Sequence, residues 1–176
     1  MADNFNFRLQ SDETTNEWLT PPSIIAALGE FDLDPCAPRK ETRPWDMAKK
    51  HYTGARDLFD GPADIERQCG LRTPWQGRVW LNPPYGDEVY PWLEKLSEHK
   101  SGIAMIFART DTKGFHDYVW KRAKAVFFFD NRISFHRIDG TQGTNAGAPS
   151  CLISYSDFDN DAIGNSKLSG YLVKLR

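Results

Sequence analysis

Apolar residues fall into short, dense runs separated by polar stretches that carry glycine and proline. Gly102 to Phe107 (Gly-Ile-Ala-Met-Ile-Phe) lacks the polar alternation of a half-exposed strand and predicts a strand buried on both faces. Ala125 to Phe129 reads the same way. Val79-Trp80-Leu81 is a compact strand that stops at Asn82, and Phe31-Asp32-Leu33-Asp34 alternates as a short strand that stops at Pro35. Ser150 to Tyr155 and Tyr171 to Leu175 complete the strands. Between them the period lengthens. Thr20 is placed to cap a helix with Pro21 and Pro22 in its first turn, an apolar stripe of Ile24, Ile25 and Leu28, and Gly29 at its end. A second helix from about Pro91 to His99 turns Trp92, Leu93 and Leu96 inward, and a third lies near Lys113 to Arg122. Residues 39–77 have a poor pattern, read as loops around a short helix near Asp64 to Cys69.

Strands alternating with helices predict an α/β fold with a mainly parallel sheet flanked by helices. The last two strands have no clear helix between them, which predicts an antiparallel edge strand. Residues 1–13 read as a flexible N-terminal arm and residues 14–176 as a single domain, without internal repeat or linker. The stretch His136 to Ala148, rich in Gly, Thr and Asn, reads as a mobile surface loop able to close over a ligand.

Composition narrows the function classes. The 176 residues include 40% hydrophobic side chains and six Trp, enough for a core. No apolar run approaches the roughly 18–20 residues of a membrane helix, and the polar stretch Met1 to Ser11 lacks a signal-peptide core. A cytoplasmic location is the expectation. Cys36, Cys69 and Cys151 form no Cys-x-x-Cys pair, and none of the four histidines stands at metal-ligand spacing, so no metal is expected. The net charge of −2 argues against nucleic-acid binding, but its distribution qualifies that. Between Lys100 and Arg137 there are eight basic residues and three acidic ones, followed by Asp139, Asp157, Asp159 and Asp161. Such segregation can present one basic face to a phosphate backbone.

The chemistry concentrates in Asn82-Pro83-Pro84-Tyr85, placed directly after a strand, where open α/β sheets bind ligands. An amine conjugated to an aromatic ring is a poor nucleophile because its lone pair is delocalised. Two acceptors aimed at its N–H bonds favour a pyramidal nitrogen and release that pair. The Asn82 side-chain oxygen and the Pro83 carbonyl can serve. Consecutive prolines fix φ and add no competing N–H, and Tyr85 can stack on a base that has left its helix. A proline-rich turn with a packed tyrosine is the plainer alternative.

With this motif the chain resembles the amino-directed methyltransferases. Three further segments resemble the small phage-type Dam family of DNA adenine methyltransferases: Glu17-Trp18-Leu19-Thr20-Pro21-Pro22, Phe31-Asp32-Leu33-Asp34-Pro35-Cys36-Ala37, and Arg132-Ile133-Ser134-Phe135 followed by Gly147-Ala148-Pro149-Ser150. Together they span roughly residues 16 to 155. The resemblance implies a Rossmann-like methyltransferase fold, S-adenosylmethionine as cofactor, double-stranded DNA as partner and a bacterial host cytoplasm for a phage-encoded protein. It implies catalytic roles for Asn82, Pro83, Pro84 and Tyr85. Trp18, Thr20 and Pro21 would lie against the methionine part of the cofactor, Asp34, Cys36 and Ala37 would form its loop, and Asp57 would meet its adenosine end. Arg109, Lys113, Arg132 and Phe135 would bind or support the DNA target. The chain departs from methyltransferases generally in lacking a glycine-rich turn at residues 34–37.

The expected reaction is methylation of adenine N6 in DNA with base flipping. Cytosine N4, a protein glutamine and a non-catalytic DNA-binding role remain as alternatives. Monomer and homodimer are both open, and 176 residues leave no room for a separate recognition domain.

Overall fold

Unbroken apolar runs demand a sheet covered on both faces, and the computed structural model, which describes residues 18–53, 69–86 and 88–176, contains one. Its strands are β1 (Leu33–Asp34), β2 (Lys50–His51), β3 (Val79–Leu81), β4 (Gly102–Phe107), β5 (Ala125–Phe129), β8 (Ser150–Ser154) and β9 (Gly170–Lys174), in the order β2-β1-β3-β4-β8-β5-β9. Between β5 and β8 the chain forms a separate antiparallel hairpin of β6 (Ser134–His136) and β7 (Gln142–Asn145). The helices are α1 (Pro22–Leu28), α2 (Val89–His99), α3 (Lys113–Phe115), which continues into a π-helical turn at His116–Trp120, and α4 (Asp157–Gly164).

Side chains alternate across the strands and build two cores. On one face Leu33, Val79, Leu81, Ala104, Ile106 and Ile153 pack with Trp92, Leu93 and Leu96 of α2 and Phe115 of α3. On the other, Trp80, Ile103, Met105, Phe127 and Leu152 pack with Ile24 and Leu28 of α1, Ile163 of α4, and Leu19 and Phe135. The fold is an α/β sandwich, as the sequence predicts, built on a mixed sheet.

The parallel part joins β2, β1, β3 and β4. The pairs β4–β8, β8–β5 and β5–β9 are antiparallel, so β5 runs with the parallel set while β8 and β9 run against it. β9 is the expected antiparallel edge. β8 differs from the expectation, because it lies inside the sheet between β4 and β5. A helix, α4, also joins β8 to β9 where none was predicted. Its sequence, Asp-Phe-Asp-Asn-Asp-Ala-Ile-Gly, hides from an apolar pattern because Asp159 and Asn160 are buried through polar partners.

Those partners brace the amino ends of the strands. Arg78, just before β3, donates from Nε to Asp159 at 2.8 Å and from Nη1 to the carbonyls of Leu28 and Glu30 at 2.9 and 3.0 Å. Asp159 also accepts from the N–H of Gly102, the first residue of β4, at 2.8 Å, and from the Ser156 hydroxyl. Asn160 accepts from Ser154. The late acidic segment is thus partly structural.

Two local expectations change. Thr20 does not cap α1. The N-cap is Pro21, without a side-chain capping bond, because residue 19 is drawn into an extended bridge with His136 and Thr20 is buried beside it. The stretch from His136 to Ala148 is not a free loop, since Gln142–Asn145 forms β7 and pairs with β6. The helix expected near Asp64 to Cys69 and the arm at 1–13 lie, up to residue 68 and entirely, outside the described residues.

Candidate active site

The carboxyl ends of β1, β3 and β4 share one edge of the sheet. Because β8 is reversed, its first residue comes to the same edge, with Ser150 opposite Phe107. Of the residues singled out from sequence, 34–37 and 82–85 lie at the ends of β1 and β3 on this edge, Trp18 reaches Asn82, and Phe135 reaches Tyr85.

Asn82 leaves β3 with its side chain on the face covered by residues 18–28. Its Nδ2 donates to the main-chain carbonyl of Trp18 at 3.1 Å. A carbonyl accepts and cannot donate, so the amine end of the amide must face Trp18. Oδ1 is thereby left as an acceptor. It is buried and has no partner among the described residues. Burying an unpaired acceptor costs about 1–3 kcal/mol, which marks a place where a ligand donor would be welcome. Pro83 is buried and Pro84 half-buried, so the two rings that fix this turn are packed rather than exposed.

Tyr85 folds back over the end of β4. Its ring stacks on Phe107, centroids 4.3 Å apart and planes inclined by 14°, and stands edge-on to Phe135 at 6.4 Å. Burial holds its phenol well above the usual value, so it stays protonated. Phe135 is itself buried. Phe107 was not singled out from sequence, because in an apolar run nothing distinguishes the last residue from its core neighbours.

The turn after β1 is built without glycine. Asp34 is buried, and its Oδ1 accepts from the N–H of Cys36 at 3.0 Å. Burial pushes this carboxyl up to about 7, against the opposing pull of the Cys36 N–H and the positive charge of Arg43. A carboxylate held so poorly compensated favours a cationic ligand. Burial likewise pushes the Cys36 thiol far up, helped by Asp34, so it is no nucleophile. Ala37 is buried and donates its N–H to the Tyr52 carbonyl at 3.1 Å. The glycine missing at 34–37 is found across the turn. A Cβ on Gly70 would sit 2.1 Å from the Pro35 carbonyl and 2.9 Å from Trp92, so only glycine allows this approach. Gly70 stands in the stretch with the poorest pattern and carried no signal.

Thr20 is buried, and its hydroxyl has no partner among the described residues. Ser150 is also buried with an unpartnered hydroxyl among them. Trp18 is half-buried, with its ring against Gly143 of the hairpin, and Pro21 is half-buried. Asp57 lies outside the described residues.

The basic candidates are more dispersed. Arg109, two residues past β4, and Arg132, two residues before β6, are exposed. Lys113 is exposed and held by Asp117, which also takes Lys121 at 2.6 Å. Arg122 faces Glu94 at 3.7 Å, and Lys124 faces Asp157 at 2.6 Å. Several charges of the basic segment are therefore spent on protein partners, and Arg109 and Arg132 are the better placed for an external anion. No helix among the described residues is long and apolar enough to cross a membrane, and no group of His, Cys, Asp and Glu among them could hold a metal ion.

A family model described as DNA N-6-adenine-methyltransferase (Dam) matches residues 9–164, nearly the whole chain. No curated protein and no solved structure matches it.

Proposed function

Because the chain belongs to the DNA N-6-adenine-methyltransferase (Dam) family, we propose that it transfers a methyl group from S-adenosylmethionine to the N6 amine of adenine in double-stranded DNA. The observation that carries this reading is the Asn82 amide, anchored through Nδ2 with Oδ1 buried and unpartnered among the described residues. An adenine amine has two N–H bonds and needs two acceptors. Asn82 Oδ1 takes one and the Pro83 carbonyl the other, and the nitrogen lone pair is released for attack. Neither acceptor gains or loses a proton; the N–H proton released on methyl transfer passes to solvent.

The cofactor fits the residues at this edge. The buried Asp34 carboxylate suits its ammonium group, and the orphaned Thr20 hydroxyl offers a further polar contact beside Trp18 and Pro21. Cys36 and Ala37 supply small side chains next to Asp34, as the end of a Rossmann-like first strand would. When bound, S-adenosylmethionine supplies an electrophilic methyl group on a sulfonium centre.

The target base must leave the duplex, at a cost of a few kcal/mol. Tyr85, backed by Phe107 and flanked by Phe135, offers a ring for it to stack on. Arg109 and Arg132, with Lys113 at the margin, hold backbone phosphates, which position DNA without reading its sequence.

Incubation of the protein with methyl-labelled cofactor and unmethylated duplex DNA, followed by digestion to nucleosides, tests the proposal. Label in N6-methyladenine is the expected result. Label in N4-methylcytosine or in protein, or no transfer at all, would overturn it.

A further inference from the structure

An amide side chain can present either end to a ligand, and only its surroundings choose. At Asn82 the choice is made by one atom, the main-chain oxygen of Trp18, which takes Nδ2 at 3.1 Å. That oxygen is itself held. The next residue, Leu19, exchanges two backbone hydrogen bonds with His136 of β6, each 2.9 Å long. From β7, Gly143 lies so close to the Trp18 ring that a Cβ there would be 2.7 Å from it and 2.9 Å from the Phe135 carbonyl. The hairpin thus grips Trp18 through both its strands.

We infer that the Trp18 carbonyl is a positioning group that fixes which end of the Asn82 amide faces the site, and that the β6–β7 hairpin holds this carbonyl in place. The inference rests on the proposed role of Asn82. The residue at 82 must then be a donor toward Trp18 and an acceptor toward the target at once. An amide meets both demands. A carboxylate meets only the second, and it sets two lone-pair-bearing oxygens against each other at Trp18. A protonated carboxyl meets both again, its O–H donating to Trp18 and its C=O left for the target.

The test is Asn82→Asp, compared with the unaltered protein across pH. If the lock operates, the fold favours the neutral form of the introduced carboxyl, so its pKa is raised in the folded state. The deficit in thermal midpoint is then full above that pKa and shrinks as pH falls through it. From about pH 8 to about pH 5.5 the gap to the unaltered protein should close by roughly 4 °C or more. The ratio of methyl transfer, variant over unaltered protein, should rise about tenfold over the same range. Asp34, Tyr85, His136 and Arg109, the ionisable side chains on the elements that meet here, are common to both proteins, and the ratio removes their contribution. A midpoint gap and an activity ratio both independent of pH would overturn the lock. The melting curves read it without any turnover, so absence of transfer by the unaltered protein would count against the proposed reaction and leave the positioning result to stand or fall by itself.

Discussion

The ring of Tyr85 lies flat on the ring of Phe107, which ties the loop after β3 to the last residue of β4. Two neighbouring strand ends are thereby joined through a pair of aromatic faces. One face of Tyr85 is spent on this contact, and a base captured by stacking would use the other. Tyr85→Phe should keep both contacts and nearly full activity. Tyr85→Ala should weaken capture of the target by roughly 1–3 kcal/mol, read as a raised KM for DNA in steady-state kinetics. Unaltered kinetics in the alanine variant would remove stacking from the mechanism.

In the proposed mechanism the acceptor at Asn82 acts mainly on the reacting nitrogen. Asn82→Ala should lower kcat by roughly 10²–10³-fold, the usual consequence of deleting one preorganised electrostatic contact at a reacting centre. Affinity for S-adenosylmethionine, measured by calorimetry, should change only a few-fold. A variant with normal turnover would exclude the amide from the chemistry.

If Asp34 holds the cofactor's ammonium group as proposed, it links cofactor binding to pH. Its carboxyl is pushed up to about 7 by burial, and only the ionised form attracts an ammonium group. Cofactor affinity should fall as pH drops through about 7, and Asp34→Asn should weaken binding and flatten this dependence. Stability has the opposite sense. The folded protein holds this proton more tightly than the unfolded chain, so the ionised group penalises folding fully above the folded pKa, and the penalty fades between about 7 and about 4. Asp34→Asn should therefore raise the stability of the cofactor-free protein at alkaline pH, by roughly 2–4 kcal/mol, with little gain at acidic pH. Scanning calorimetry of both proteins across this range decides it.

The Arg78–Asp159 pair should matter to folding and leave chemistry alone. Asp159→Ala strands a buried guanidinium and removes the acceptor for the Gly102 N–H. A loss of roughly 3–5 kcal/mol is expected in urea denaturation, with turnover per folded molecule preserved. A loss well under about 1 kcal/mol would show that water replaces the carboxylate at no cost.

Much of this architecture could be read in the chain because it rests on apolar burial. β3, β4 and β5 were evident as dense hydrophobic runs, and α2 as a stripe of Trp92, Leu93 and Leu96. What rests on polar pairing or on shape was hidden. α4 turns Asp159 and Asn160 inward, so its hydrophobic period is broken where it is most buried. The place of β8 inside the sheet depends on its pairing with both β4 and β5, a long-range choice that local pattern does not encode. At the site, the Asn82 motif announced itself by residue type, and Asp34 by its position at the end of a strand. Gly70, Gly143 and Phe107 did not. Each matters through what lies across a gap, and that is settled only when distant segments are brought together. The charge pattern misled in part, since Lys113, Lys121 and Lys124 turn out to serve acids of the same chain.

Arg78 and Asn82 sit at the two ends of the three-residue strand β3, about 13 Å of extended chain apart. The polar brace lies below and the proposed acceptor above, with Val79, Trp80 and Leu81 between them. On the proposed mechanism, substitutions along the upper rim at Arg109 or Arg132 would change how firmly DNA is held, whatever its sequence, without drawing on the contacts that keep the molecule folded. The grip on DNA could in that way change while the scaffold stands still.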